Sequence, residues 1–110
     1  MPGVKLVNDE TFEAEVLRSA TPVVVDFWGP RCVPCIQLDP FVQGLSDEHG
    51  SRLRFVKVIA PENRQLCIRM KVMGLPTFMA FRDGQEIARL TGTVDREMLR
   101  DMVVSLSAGQ

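Results

Sequence analysis

The sequence contains no tyrosine, one tryptophan and six phenylalanines, so only 6% of its 110 residues are aromatic. That is too sparse for the stacking platforms that hold single-stranded nucleic acid. Basic charge is not in excess either: 13 Lys and Arg stand against 14 Asp and Glu, for a net charge of −1. No positive field draws in phosphate backbones, and there is no acidic tail. No apolar run approaches the ~18 residues that argue a membrane-spanning helix. The opening Met-Pro-Gly-Val-Lys-Leu-Val-Asn-Asp-Glu lacks the apolar centre of a signal peptide, which sets the expectation of a cytoplasmic protein. An even set of cysteines is missing as well. Three is an odd number, and secreted disulfide scaffolds usually carry an even one.

What is present suits a globular domain. Apolar residues make up 45% and charged residues 25%, the balance of a soluble protein. A chain of 110 residues is one domain, residues 1–110, with room for a modest core. Nothing in it signals an oligomer, so a monomer is expected.

Residues 4–7 read as a short strand. Asn8 is a good N-cap for a helix over about residues 9–19, with Asp9, Glu10 and Glu13 favouring its positive end. Phe12, Val16 and Leu17 give that helix its buried stripe. Thr21-Pro22 breaks it. Residues 23–27 then form a strand that is apolar on both faces, as a central strand covered by helices should be. Its period of two places Val24, Asp26 and Trp28 on one face. A carboxylate inside such a strand is costly without a partner or a task, unless Asp26 sits at a frayed end in water.

A second helix opens at Cys32 or Val33 and runs to about residue 49, with Pro40 expected to kink it and Gly50 to end it. Ile36, Leu38, Phe41, Val42 and Leu45 supply its apolar contacts, and His49 falls at its surface end. Residues 53–59 make another apolar strand, with Lys57 inside it. If that strand neighbours residues 23–27, Lys57 approaches Asp26; otherwise it snorkels to the surface. Pro61 opens a shorter helix over about residues 62–71, with Leu66, Cys67 and Met70 facing inward. Residues 77–81 and 86–90 form a hairpin around Asp83-Gly84. Asp95 caps a last helix over about residues 96–107, whose Leu99, Met102, Val103 and Leu106 follow helical spacing. The order β-α-β-α-β-α-β-β-α predicts an α/β fold: a five-stranded mixed sheet flanked by four helices.

The chemistry concentrates in Asp26-Phe27-Trp28-Gly29-Pro30-Arg31-Cys32-Val33-Pro34-Cys35. Cysteines three positions apart in the first turn of a helix lie side by side. They can close a small disulfide ring or separate as a dithiol. The helix start supplies unpaired N–H groups and a partial positive charge, both of which favour thiolate, the form that attacks disulfides. Two blander readings compete. A structural zinc site needs four ligands, and Cys67 and His49 form no second tight pair. A purely structural disulfide over so short a span would remove little chain entropy.

Asp-Phe-Trp followed by Cys-x-Pro-Cys resembles the active site of the thioredoxin family, and the resemblance extends over about residues 4–106, including the element order of the thioredoxin fold. It implies a thiol–disulfide oxidoreductase with no bound cofactor and no metal. Cys32 would be the exposed nucleophile and Cys35 the buried resolving thiol. Asp26 would accept the Cys35 proton, and Lys57 would partner Asp26. Leu75-Pro76-Thr77 matches the family's cis-proline loop; Trp28 matches the indole beside the disulfide; Gly74 and Gly92 match the borders of the docking groove. The implied partners are disulfide-containing proteins and a thioredoxin reductase, either an NADPH flavoprotein or a ferredoxin-linked enzyme.

The chain departs from the common pattern at three places. Arg31 stands where Trp is usual, Val33 where Gly is usual, and Ala60-Pro61 where an Asp ends the third strand. Arg31 puts a cation beside Cys32 and a charge on the docking surface, and β-branched Val33 stiffens the helix start. A more oxidising pair, working as an oxidase or isomerase, is therefore the alternative within the enzyme class. An interaction module whose cysteines are idle is the alternative outside it. Cys67 is expected to be an inert buried thiol rather than a regulatory one.

Overall fold

In the computed structural model, which describes residues 3–109, the strands are Lys5–Leu6 (β1), Val23–Trp28 (β2), Arg54–Ile59 (β3), Thr77–Arg82 (β4) and Gln85–Thr91 (β5). They form one sheet in the order β1-β3-β2-β4-β5. β1, β3 and β2 run parallel; β4 is antiparallel to β2, and β5 to β4. The helices are Val33–His49 (α1), Arg64–Arg69 (α2) and Arg96–Ser107 (α3), joined by a helical turn at Glu13–Leu17 and a 3₁₀ turn at Ala60–Glu62. This is the mixed five-stranded sheet with helices on both faces that the element order predicts.

β2 lies at the centre of the sheet and is buried from Val23 to Phe27. Its alternating residues feed two cores. Val24, with Phe55, Phe78 and Ala80 of the neighbouring strands, packs under α1 and α3 through residues such as Leu38, Val42, Leu99 and Val103. Val23, Val25 and Phe27 pack on the other face against Phe12, Val16 and Leu66. Phe12 meets Phe81 edge-on at 5.9 Å.

The first helix differs most from expectation. Asn8 caps it as predicted, with its Oδ1 accepting the Glu10 and Thr11 N–H groups at 2.8 and 3.0 Å. The segment then widens into a π turn, in which the Arg18 N–H donates to the Glu13 carbonyl at 2.9 Å. In a regular α-helix Leu17 would sit about 140° around the axis from Phe12. The wider turn brings it back toward the stripe, where it packs at the edge of the second core. α2 is also shorter than expected, because the 3₁₀ turn around Pro61 takes its first residues.

α1 continues through Pro40 and ends at Gly50. Gly50 is not left-handed (φ −62°); a Cβ there would meet the Ser46 carbonyl oxygen at 2.7 Å, so close approach is what requires glycine. At the hairpin, Asp83 (φ 54°) and Gly84 (φ 79°) both adopt positive φ, the geometry of a type I′ turn.

Leu99 ties α3 to the sheet and is 1% exposed. Leu99→Ala should lower the unfolding free energy by about 2–5 kcal/mol and leave redox activity per folded molecule unchanged. Urea unfolding and a disulfide-reduction assay on the variant check this together.

Candidate active site

The site forms where β2 gives way to α1. After Trp28 the chain turns through Gly29, with the Cys32 N–H donating to the Gly29 carbonyl at 3.1 Å. The turn packs closely on the loop before β4: a Cβ at Gly29 would come within 3.0 Å of Leu75 Cδ1, the movable end of that side chain. Cys32 is the N-cap of α1, with Val33 and Pro34 as the first two helical residues. Pro34 has no N–H, so the donor that reaches Cys32 Sγ is the Cys35 amide, at 3.2 Å. A sulfur at this position accepts a backbone N–H and faces the positive end of α1, and both interactions strengthen when it is a thiolate.

Cys32 and Cys35 are joined as a disulfide, with Cα atoms 5.2 Å apart. The two sulfurs differ in access. Cys32 is partly exposed, whereas Cys35 is 2% exposed on the inner stripe of α1 that continues through Leu38 and Val42. Arg31, Pro30, Gly29, Pro61 and Leu75 wall the groove around Cys32. An adjoining groove shares Pro61 and Leu75 and runs past Gly74, Cys67, Ile68 and Met73.

The Leu75–Pro76 peptide bond is cis. Thr77 Oγ1 donates to the Gly74 carbonyl at 2.6 Å, and the Gly92 N–H donates to the Pro76 carbonyl at 3.3 Å. Gly74, Leu75, Pro76 and Gly92 thus belong to one bonded loop cluster at the end of the β4–β5 pair.

Asp26 is 2% exposed, and its Oδ1 has no hydrogen-bond partner among the described residues. Across the β2–β3 register it stands opposite Lys57. Lys57 Nζ, however, donates to Asp39 Oδ1 of α1 at 2.7 Å and lies 4.8 Å from the centre of the Trp28 ring. The expected neighbour is therefore present, but its hydrogen bond goes elsewhere. Burial pushes the Asp26 carboxyl up from 3.8 to about 7; the Lys57 ammonium pulls it down, and the Asp39 carboxylate pushes it up. Trp28 Nε1 is also buried without a hydrogen-bond partner among the described residues.

Sequence reasoning missed Asp39, Ile68 and Met73. Asp39 had a signal: it follows Cys35 by four positions and is a charge on an otherwise apolar stripe. Ile68 (69% exposed), in the short α2, and Met73 (94%), in the loop that follows it, had none, because an apolar residue reads as core until its direction is known. Ile36, expected among the packed residues of α1, is exposed instead. Cys67 is half-buried, and its thiol is pushed up by burial and by the nearby Asp9 carboxylate. His49 is half-buried rather than fully at the surface, 3.8 Å from Glu48.

Among the described residues, no group of three or more His, Cys, Asp or Glu is placed to hold a metal, and no helix is long and apolar enough to cross a membrane. An accessible and a buried sulfur, linked at a helix N-terminus beside a mixed sheet, define a dithiol–disulfide oxidoreductase. The sequence model of the thioredoxin family matches residues 3–105. Thioredoxin 1 of Synechococcus elongatus is 38% identical over 93 residues, covering 84% of this chain and 87% of that protein. The thioredoxin of Acetoanaerobium sticklandii is 42% identical over 85 residues, covering 77% and 81%. A solved thioredoxin from Malassezia sympodialis superposes with a TM-score of 0.88 at 29% identity, over 96% of this chain and 93% of that one. The chain belongs to the thioredoxin family, and its redox pair is Cys32 and Cys35.

The raised carboxyl has a consequence for stability. The folded protein holds the Asp26 proton more tightly than the unfolded chain does. The stabilisation from that proton is complete below about pH 4, declines as pH rises to about 7, and is gone above it. Asp26→Asn cannot ionise. Relative to the native protein its stability should improve by roughly 4 kcal/mol between about pH 4 and about pH 8. Urea unfolding across that range measures the difference, and a constant gap between the two proteins would contradict the burial argument.

Proposed function

We propose that the protein reduces disulfides of partner proteins, with Cys32 as the attacking sulfur and Cys35 as the resolving one. The observation that carries this division is their unequal access: Cys32 faces the groove, and Cys35 is enclosed. In the reduced protein the Cys32 thiolate attacks one sulfur of the partner's disulfide, and the other leaves as a thiolate. A mixed disulfide now joins the two chains. Cys35 gives its proton to the Asp26 carboxylate and attacks Cys32 Sγ. The Cys32–Cys35 disulfide forms, and the partner leaves with two thiols. An acceptor near 7 is well matched to a proton transfer at neutral pH. Lys57 tunes that acceptor electrostatically.

Trp28, Arg31, Gly74, Leu75, Pro76 and Gly92 form the docking surface in this reading. The partner's chain pairs with backbone at the Leu75–Pro76 loop, as an added strand. Sulfur alone carries the two electrons, so no cofactor or metal takes part. Returning the disulfide to the dithiol requires two electrons and two protons from a thioredoxin reductase, an NADPH flavoprotein or a ferredoxin-linked enzyme. That cycle places the protein in electron transport and redox homeostasis, as a cytoplasmic monomer. The family match over residues 3–105 supports a single domain spanning 1–110.

The roles separate in two variants. Cys35→Ser should accumulate a covalent mixed disulfide with a disulfide-containing test protein, and Cys32→Ser should form none and lose reductase activity. Mass spectrometry under non-reducing conditions reads both. Adducts through Cys35 in the Cys32→Ser protein would reverse the assignment.

Arg31 favours a second reading on the oxidising side. Its cation lines the Cys32 groove and stabilises the thiolate, hence the reduced form. The pair should have a potential above the ordinary thioredoxin value of about −270 mV, and Arg31→Trp should lower it. Titration in a dithiol buffer, followed by Trp28 fluorescence, gives the value. A potential at or below the ordinary one removes the case for an oxidase or isomerase.

A further inference from the structure

We propose that Asp39 is a positioning residue for the redox site: by binding the Lys57 ammonium it holds that cation off the buried Asp26 carboxyl, so that Asp26 keeps its proton to higher pH. The inference rests on the reading that Asp26 serves Cys35.

Three elements bring charged groups to this point. Asp26 comes from β2, Lys57 from β3 opposite it, and Asp39 from α1. The β4 residue in register with Asp26 is Phe78, which carries no charge. Asp39 follows Cys35 by one helical turn, on the same inner stripe as Leu38 and Val42. An ammonium has three donors and can bridge two carboxylates, yet here its hydrogen bond goes to Asp39. Lys57 Nζ lies 2.7 Å from Asp39 Oδ1, while Asp26 Oδ1 has no hydrogen-bond partner among the described residues. The Asp39 side chain is 32% exposed and keeps part of its hydration, so an ion pair there avoids most of the desolvation of a fully buried pair. The Trp28 ring, 4.8 Å from Lys57 Nζ, gives the ammonium a second contact away from Asp26.

Asp39 therefore acts on Asp26 in two ways of the same sign. It adds a like charge to the neighbourhood, and it occupies the cation that would otherwise stabilise ionised Asp26. Neutralising Asp39 removes both effects.

The test is a ¹³C NMR titration of the Asp26 carboxyl in the full-length reduced protein. In Asp39→Asn its midpoint should fall by about one pH unit. Asp39→Glu, which keeps the charge, should stay near the native midpoint. In a Lys57→Met background the Asp39→Asn shift should shrink, because no cation remains to be released. An unchanged or raised midpoint in Asp39→Asn overturns the proposal. So does an equal shift with and without Lys57, or a Glu variant that behaves like the Asn one. If Asp39→Asn folds poorly, Asp39→Ser takes its place, alone and in the Lys57→Met background, with the same outcomes deciding it. The pH dependence of mixed-disulfide resolution is measured alongside. A moved midpoint with an unmoved rate profile leaves Asp39 as the positioning residue and removes Asp26 as the acceptor of the Cys35 proton.

Discussion

A carboxyl group buried inside the central strand, with no hydrogen-bond partner for its Oδ1 among the described residues, is the constraint on which the site depends. From Val23 to Phe27 every other residue of β2 is apolar and buried, and the strand would pack more cheaply with a valine in place of Asp26. A group so placed stays protonated over much of the acid range and becomes a base only near neutrality. The helix laid over this face of the sheet brings Cys35 inward at its first turn. In the proposed mechanism, the same packing that excludes water from the core supplies an acceptor of suitable strength for the Cys35 proton.

The two sulfurs acquire different properties from a single helix start. An N-cap residue lies half outside its helix, so Cys32 faces the groove and receives the backbone N–H of Cys35. The residue three positions on has already turned inward. No side-chain cluster is required to make one cysteine accessible and the other sheltered; the 3.6-residue period and the placement of the cap do it. Val33, between them, is largely exposed and takes no part in that division.

Much of this was legible in the sequence. Short apolar runs marked the central strands, Asn8 and Asp95 marked helix starts, and Asp83-Gly84 marked the hairpin; each of these is a local rule acting on adjacent residues. The redox pair was legible for the same reason. The π turn at Glu13–Leu17 was not, because Phe12, Val16 and Leu17 satisfy an ordinary helix almost as well. Lys57 shows the limit more sharply. The strand order put it opposite Asp26, as anticipated, but where its ammonium goes is decided by Asp39 on a helix eighteen positions earlier. Register is a property of two strands; the partner of a long flexible cation depends on everything within its reach. The exposed apolar residues Ile68 and Met73 escaped for a related reason, since neither a short helix nor the loop after it reveals from sequence which side faces a groove.

Proton control is divided between the surface and the interior, and the two parts respond to different conditions. Arg31 is exposed and acts on Cys32 across a groove open to solvent. Over such a path added salt weakens the interaction, since the screening length is about 10 Å at 0.1 M and about 3 Å at 1 M. Asp26 is buried beneath α1 and Lys57 is largely covered, while Asp39 on α1 keeps part of its hydration, so salt screens their interactions less than one across open solvent. Ionic strength should therefore move the attacking sulfur more than the resolving step. A substitution at position 31 belongs with the first behaviour and one at position 39 with the second. The two controls lie apart, one at the groove and one under α1, so the surface can change to suit a partner without disturbing the proposed proton transfer.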